Sequence, residues 1–405
     1  MLGAEEWLVI RVVAVFALVT GMAYLLTRPI ARRIQARLGF AQLVVAGLPF
    51  VALGMIARAP AVNVLSDDLL SRLSPFLALA LTVVGLRLGL RVDVPHLLAT
   101  PRAVATLAVS RFALGGSLVF LAVVAGSEGI AGFQDPAVVR RAAVLAIAGT
   151  VTSIAITRGL SGLRATEDIP LTERAVRLGE LIAIGGLLVL GAYVRPGDGA
   201  VERVTALPPE LWLLTAVGLA AVLGILMFQL LRDPAAQGDD APVLAIGAVA
   251  VVAGVASYLG FSPLAIGALV GIVLGQLAGA GRDALEAAFD RYQRAVYGVL
   301  LFVLGALALP LTGHAFVVAA LFVIVRLVST VAATRLGLLL GRTSVDREAW
   351  RRLIVAPLGA TSLAIVIAAH ELDRAIDIGP VALALILAAL VTELVWHVAP
   401  EEATR

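Results

Sequence analysis

The chain has 405 residues, 60% hydrophobic and only 15% charged, with a mean hydropathy of +1.01 and a formal net charge of +3. That composition excludes a soluble globular protein, and the long unbroken apolar runs exclude a β-barrel, whose strands alternate. There are no cysteines, so disulfide and thiol chemistry are excluded too. All 31 basic residues are arginine, so the choice of Arg over Lys at any one position says little. What remains is an all-α polytopic membrane protein.

In chain order, thirteen apolar stretches are long enough to cross a bilayer at ~20 residues each. They run roughly 7–27, 40–58, 69–90, 103–126, 139–159, 175–194, 208–231, 241–259, 262–280, 293–312, 315–341, 350–369 and 377–398. The connections are short, and no soluble regulatory domain is expected. Nor is a cleavable leader, since Met1 to Glu6 lacks a basic start. The 281–294 stretch alternates charged and apolar residues at helical spacing, which predicts an interfacial helix ahead of span 10.

Arginines concentrate in alternate loops: Arg28 to Arg37, Arg164 to Arg177, Arg282 to Arg294 and Arg342 to Arg352. By the positive-inside rule these loops are cytoplasmic, which puts the N-terminus outside and the C-terminus inside.

One motif occurs twice. Gly149-Thr150-Val151-Thr152-Ser153 in span 5 is echoed by Gly359-Ala360-Thr361-Ser362 in span 12. Each copy is preceded by a span with a buried-depth arginine (Arg111, Arg326) and followed by one with a glutamate (Glu180, Glu393). The copies lie seven spans apart, so they cross in opposite directions. An inverted repeat follows: 1–194 (spans 1–6), a linker with span 7 at 195–240, and 241–398 (spans 8–13). Secondary transporters are commonly built this way, with the site near the midplane.

A charge at a helix centre costs ~2.5–3.5 kcal/mol, so each such residue needs a reason. Arg11 and Arg87 lie near span ends and can snorkel. Arg326 and Glu180 lie deeper, and a carboxylate's short stem requires a cavity or a partner. Gly, Pro357 and small hydroxyl residues weaken the helix around both Thr-Ser copies. Such spans either break to expose ion-binding half-helix ends or simply pack closely. By symmetry Arg111 and Glu393 form a second candidate pair. The four histidines fall in loops or at span ends, where a surface position is expected.

Three stretches also carry a family likeness: Ser74-Pro-Phe-Leu-Ala through Gly85-Leu-Arg87, Leu259-Gly-Phe-Ser-Pro through Gly267-Ala-Leu-Val-Gly271, and Phe302-Val-Leu-Gly305. With the Arg, Thr-Ser, Glu order, they make the chain resemble the monovalent cation–proton antiporter family. That family includes the sodium–proton exchangers and the membrane part of glutathione-gated potassium efflux systems. The resemblance implies the sodium/proton antiporter fold, with crossed discontinuous helices at spans 5 and 12.

It also implies a site. Glu180 falls on the essential carboxylate that binds the monovalent cation or the proton, with Thr150, Thr152 and Ser153 as further oxygen ligands. Arg326 falls on the charge-compensating basic residue, and Gly359, Thr361 and Ser362 on the second helix break. Gly179 replaces the first acid or amide of the family's motif, and Arg87 stands where the family has an acid. The implied protein is an inner-membrane homodimer exchanging Na⁺ or K⁺ for protons. Its partners are the cation, protons and the lipid bilayer, with no cofactor, no nucleic acid and no enzymatic reaction. Two other readings stay open: an antiporter-fold scaffold or sensor that does not transport, and a cation-coupled carrier of organic anions. Retained transport by Glu180→Gln would favour the anion carrier.

Overall fold

The structure is a computed structural model. It describes residues 42–152 apart from 61, 63 and 93, then 169–194, 206–232, 241–277, 281–343, 345, 350, 353–354 and 358–398 apart from 375. The expected first span, with Arg11, lies outside these residues. The described chain is all helical: α1 Gln42–Arg58, α2 Asp67–Arg72, α3 Ser74–Leu90, α4 Val94–Leu98 and α5 Arg102–Ser110. Helix α5 continues through a π-helical turn, Arg111–Gly115, into α6 Gly116–Glu128. Then follow α7 Pro136–Thr150, α8 Ile169–Tyr193, α9 Pro209–Arg232, α10 Ala241–Tyr258, α11 Pro263–Leu277 and α12 Gly281–Leu307. The last three are α13 Gly313–Gly341, α14 Ala360–Leu372 and α15 Gly379–Val398.

Four described helical stretches are long and apolar enough to cross a membrane: Arg102–Ser127, Glu173–Tyr193, Pro209–Leu230 and Gly313–Gly341. Shorter apolar helices pack among them, Ser74–Leu90 and Ala360–Leu372 included, in a multi-pass membrane protein. The 281–294 stretch differs from expectation. It is the first half of α12 rather than a separate interfacial helix, because no proline interrupts the helical pattern between Gly281 and Leu307.

Local chemistry fixes the helix ends. Pro136 opens α7 behind Asp135, whose carboxylate accepts the Ala137 N–H at 2.8 Å. Thr312 caps α13 in the same way, accepting the Ala315 N–H at 3.2 Å. At its other end Arg342 turns left-handed (φ 51°), and its N–H returns to the Leu338 and Leu339 carbonyls.

Two helix pairs meet backbone to backbone through glycine. In the α3–α11 pair, a Cβ on Gly85 would sit 2.0 Å from the Leu264 carbonyl oxygen, and one on Gly271 would sit 2.3 Å from that of Leu86. In the α1–α12 pair, a Cβ on Gly54 would sit 1.9 Å from the Phe302 oxygen, and one on Gly305 would sit 2.1 Å from that of Val51. Helices gain little hydrophobic drive to associate in lipid, so such close approach is what holds them. A third seam joins α5 to α13 through hydroxyls. Ser110 Oγ donates to the Ala333 carbonyl at 2.9 Å, and Thr106 Oγ1 to that of Gly337 at 3.0 Å.

Gly85→Val should separate α3 from α11, at a cost of about 1–3 kcal/mol or more. The expected result is loss of the monodisperse peak in size-exclusion chromatography. Gly179→Ala, whose added Cβ meets nothing within 4 Å, should keep that peak.

Candidate functional site

The site forms where two helices stop in the middle of the bundle. Helix α7 ends at Thr150, and Val151 is extended (φ −81°, ψ 133°). Helix α14 begins at Ala360 behind an equally extended Gly359 (φ −105°, ψ 179°). The carbonyl end of one faces the N–H end of the other. Ser362 Oγ joins them, donating to the Val151 carbonyl at 3.2 Å. Gly149, Thr361 and Ser362 are buried, so this is a dry crossing of backbone ends. Such ends are tolerated at that depth only where protein supplies partners.

Each end meets a side chain of opposite charge. A helix carries roughly half a negative charge at its C-terminus and half a positive charge at its N-terminus. Arg326, only 1% exposed, donates through Nε to the Gly149 carbonyl at 3.1 Å, on the negative end of α7. Glu180, half-buried on α8, accepts the Thr361 hydroxyl at 3.0 Å through Oε1, on the positive end of α14. Gly359 offers no side-chain cap, so that end is free to face a carboxylate. Among the described residues Glu180 makes no other hydrogen bond.

Why Arg326 can reach is also local. It stands one helical turn beyond Phe322 on α13, and the Phe322 ring lies against Gly149, where a Cβ would approach it to 2.9 Å. A side chain at 149 would force the Phe322 ring to shift, so the glycine keeps α13 at the approach where the guanidinium meets the carbonyl. Thr330 and Ser329 hydroxyls return to the Arg326 carbonyl at 2.7 and 3.1 Å, stiffening that turn.

The expected site residues are therefore divided. Glu180, Thr361, Ser362 and Gly359 come together at one half-helix end, and Arg326 lies at the other. Thr150 turns its hydroxyl back to the Ile147 carbonyl of its own helix at 2.8 Å. Thr152 is buried at the break, 4% exposed, and Ser153 lies outside the described residues. Arg111, 8% exposed, sits on the π-helical turn, near enough to Arg326 for the two charges to repel. It makes no ion pair among the described residues. Glu393 stands in α15, and its side chain is outside them. The sequence reading did not single out Thr361 as the direct partner of Glu180. A glycine break followed two residues later by a threonine is the signal that could have found it. Gly179 is half-buried beside open space, where a larger side chain would fit.

No protein-family model matches the chain, and no curated protein matches its sequence. Solved structures do resemble its fold. The structure of the sodium proton antiporter MjNhaP1 from Methanocaldococcus jannaschii at pH 8 superimposes with a TM-score of 0.67 at 14% identity. That likeness covers 94% of this chain and 98% of the other. An electron-microscopy structure of the same antiporter gives 0.65 at 14% identity, over 97% and 99%. The chain has the fold of that antiporter.

Arg326→Met should leave the Gly149 carbonyl without its charged donor, costing about 1.5–3 kcal/mol. The expected readout is a lower thermal midpoint in detergent, with Arg326→Lys losing less. Gly179→Ala should raise the midpoint, since Ala exceeds Gly by about 0.8–1.0 kcal/mol inside a helix.

Proposed function

We propose that this protein is a secondary active transporter that exchanges a monovalent cation, Na⁺ or K⁺, for protons at Glu180. The observation that carries the reading is Glu180 at the uncapped N-terminal end of α14, opposite Arg326 at the C-terminal end of α7. The shared fold with a sodium proton antiporter supports it. The pairing gives Glu180 two electrically acceptable states. Protonated, it is neutral and the crossing can move. Ionised, it needs a bound cation to balance it before it can move, because an uncompensated buried charge is expensive. Proton and cation thus compete for one carboxylate, and that competition couples their flows. The Thr361 hydroxyl, with Thr150, Thr152 and Ser153 of the other break, would supply oxygen ligands for the cation. Arg326 would compensate the α7 end in both states. With Gly179 in place of a second acid, one carboxylate carries one charge per cycle, which points to electroneutral exchange.

The same reading extends to the chain's organisation. Residues 1–194 and 241–398 form two inverted repeats, joined by 195–240. The two glycine contacts favour this division, because an offset of seven spans turns the α1–α12 pair into the α11–α3 pair. The arginine-rich loops place the C-terminus in the cytoplasm of a cell whose inner membrane holds the protein, as a homodimer.

Proteoliposomes with a trapped pH dye test it. Adding Na⁺, K⁺ or Li⁺ should move protons in wild type, and Glu180→Gln should abolish the movement. No movement with any cation, from protein that remains monodisperse, would favour a scaffold over a transporter. Retained transport by Glu180→Gln would rule this carboxylate out.

A further inference from the structure

A cavity of about 310 Å³ lies at the end of the bundle where α14 finishes. It opens between α1, α2, α3 and α12 on one side and α14 with the start of α15 on the other. Apolar walls come from residues such as Leu77, Val303 and Leu307, and most polar groups come from α14 and the turn after it, with Arg58 and Ser71 facing them from α1 and α2. Among them is a carboxylate that exchange at Glu180 does not use. Glu371, its side chain 11% exposed, lies in the last turn of α14. Ser74, at the first position of α3, donates its hydroxyl to Glu371 Oε2. Oε1 forms no hydrogen bond among the described residues.

The surrounding charges leave that carboxylate open to exchange. Arg374 Nη2 stands 3.8 Å from Oε2, beyond hydrogen-bond distance, and its side chain is half exposed. Asp373 is paired with Arg140 of α7 at 2.5 Å, whereas Asp377, its side chain 66% exposed, stands 3.6 Å from Arg141 with solvent to share between them. Arg58 from α1 and His370 from α14 complete the titratable groups that line the cavity. Helix α12 contributes only apolar residues. Arg374 is thus a loose, solvent-shared counter-charge that an arriving cation can replace. At ~30 Å³ per water, the volume admits such a cation with much of its hydration.

We propose that this cavity is a second binding site for the exchanged monovalent cation, with Glu371 as its carboxylate and Ser74 fixing that carboxylate's orientation. The proposal rests on the exchange reading for its ligand. Geometry links the two sites: Thr361 and Glu371 are borne on one helix, ten residues and about 15 Å apart along its axis. The same rod that presents its N-terminus to Glu180 carries Glu371 at its other end. A hydrated ion would be held there before it sheds water at the crossing.

The absence of cysteine makes the test clean. Ser71 lines the cavity, so Ser71→Cys gives a reporter with almost no change in volume. Its rate of reaction with a polar maleimide would be measured in detergent with Na⁺, K⁺ or Li⁺. N-methylglucamine at equal ionic strength serves as control. A transported cation should slow labelling, Glu371→Gln should remove the protection, and Ser74→Ala should weaken it. The protection should persist in Glu180→Gln, because that site is distant. Protection that survives Glu371→Gln would overturn the proposal, as would labelling that no cation slows in monodisperse protein. The two readings fail separately. Exchange without protection sinks the cavity site alone, while Glu371-dependent protection without exchange sinks the transport reading and leaves the site standing.

Discussion

Two helices that stop inside a membrane leave peptide groups with no water to satisfy them, and the rest of this structure answers that constraint. The carbonyl end of α7 and the N–H end of α14 each cost several kcal/mol if left bare in hydrocarbon. A guanidinium meets the first end and a carboxylate the second, while the Ser362 hydroxyl ties the ends together. The charges of Arg326 and Glu180 are expensive at that depth for the same reason the helix ends are. Setting each against an opposite partial charge offsets both costs at once. What cannot be offset by fixed groups alone is the full charge of Glu180, because half a dipole charge and one hydroxyl fall short of a unit charge. That deficit is what, on the proposed reading, a proton or a cation makes good.

Holding such a crossing in register calls for stiff surroundings, and the packing supplies them in two ways. Glycine seams bring α3 onto α11 and α1 onto α12 at backbone contact, leaving no room for a side chain between them. The α5–α13 seam instead relies on Ser110 and Thr106 reaching across to the carbonyls of α13. This seam sets the height of α13 and therefore the height of Arg326. A π-helical turn begins at Arg111, close to these hydroxyls, and marks a local departure from regular winding beside the crossing. Between the α1, α3, α12 side and α14 the contact is sparser, with a cavity at one end and a hydrogen bond from Ser74 to Glu371 beside it.

Much of this was legible in the residues. Span positions followed from apolar run length, since a bilayer sets a minimum that no soluble helix needs to meet. The positions of α8, α9, α10 and α13 agree with that reading to within a few residues, apart from an earlier start for α8. The breaks at Thr150 and Gly359 were marked by glycine and small hydroxyl residues, which weaken helical hydrogen bonding wherever they occur. Other features were not legible. The continuity of α12 was missed because alternating charge reads the same on a surface helix as on the wet end of a spanning one. The role of Thr361 was missed because hydroxyl residues near both breaks looked alike in the sequence, and among the described ones Thr361 is the one that hydrogen-bonds α8.

The sequence by itself determined that the chain is helical and membrane-embedded, which two spans carry helix-weakening residues, and which two deep charges need explaining. These are properties of single segments, set by hydrophobicity, helix propensity and the cost of burying charge. Only the tertiary structure decided how the charges are used. Arg326 answers the α7 carbonyl end rather than Glu180, and Glu180 answers α14. Glu371, which lines a cavity, accepts the hydroxyl of Ser74 far along the chain. Those pairings join residues well over a hundred positions apart, and their distances depend on how closely neighbouring helices approach. That approach is fixed by glycine contacts across several helices together, which no local pattern encodes.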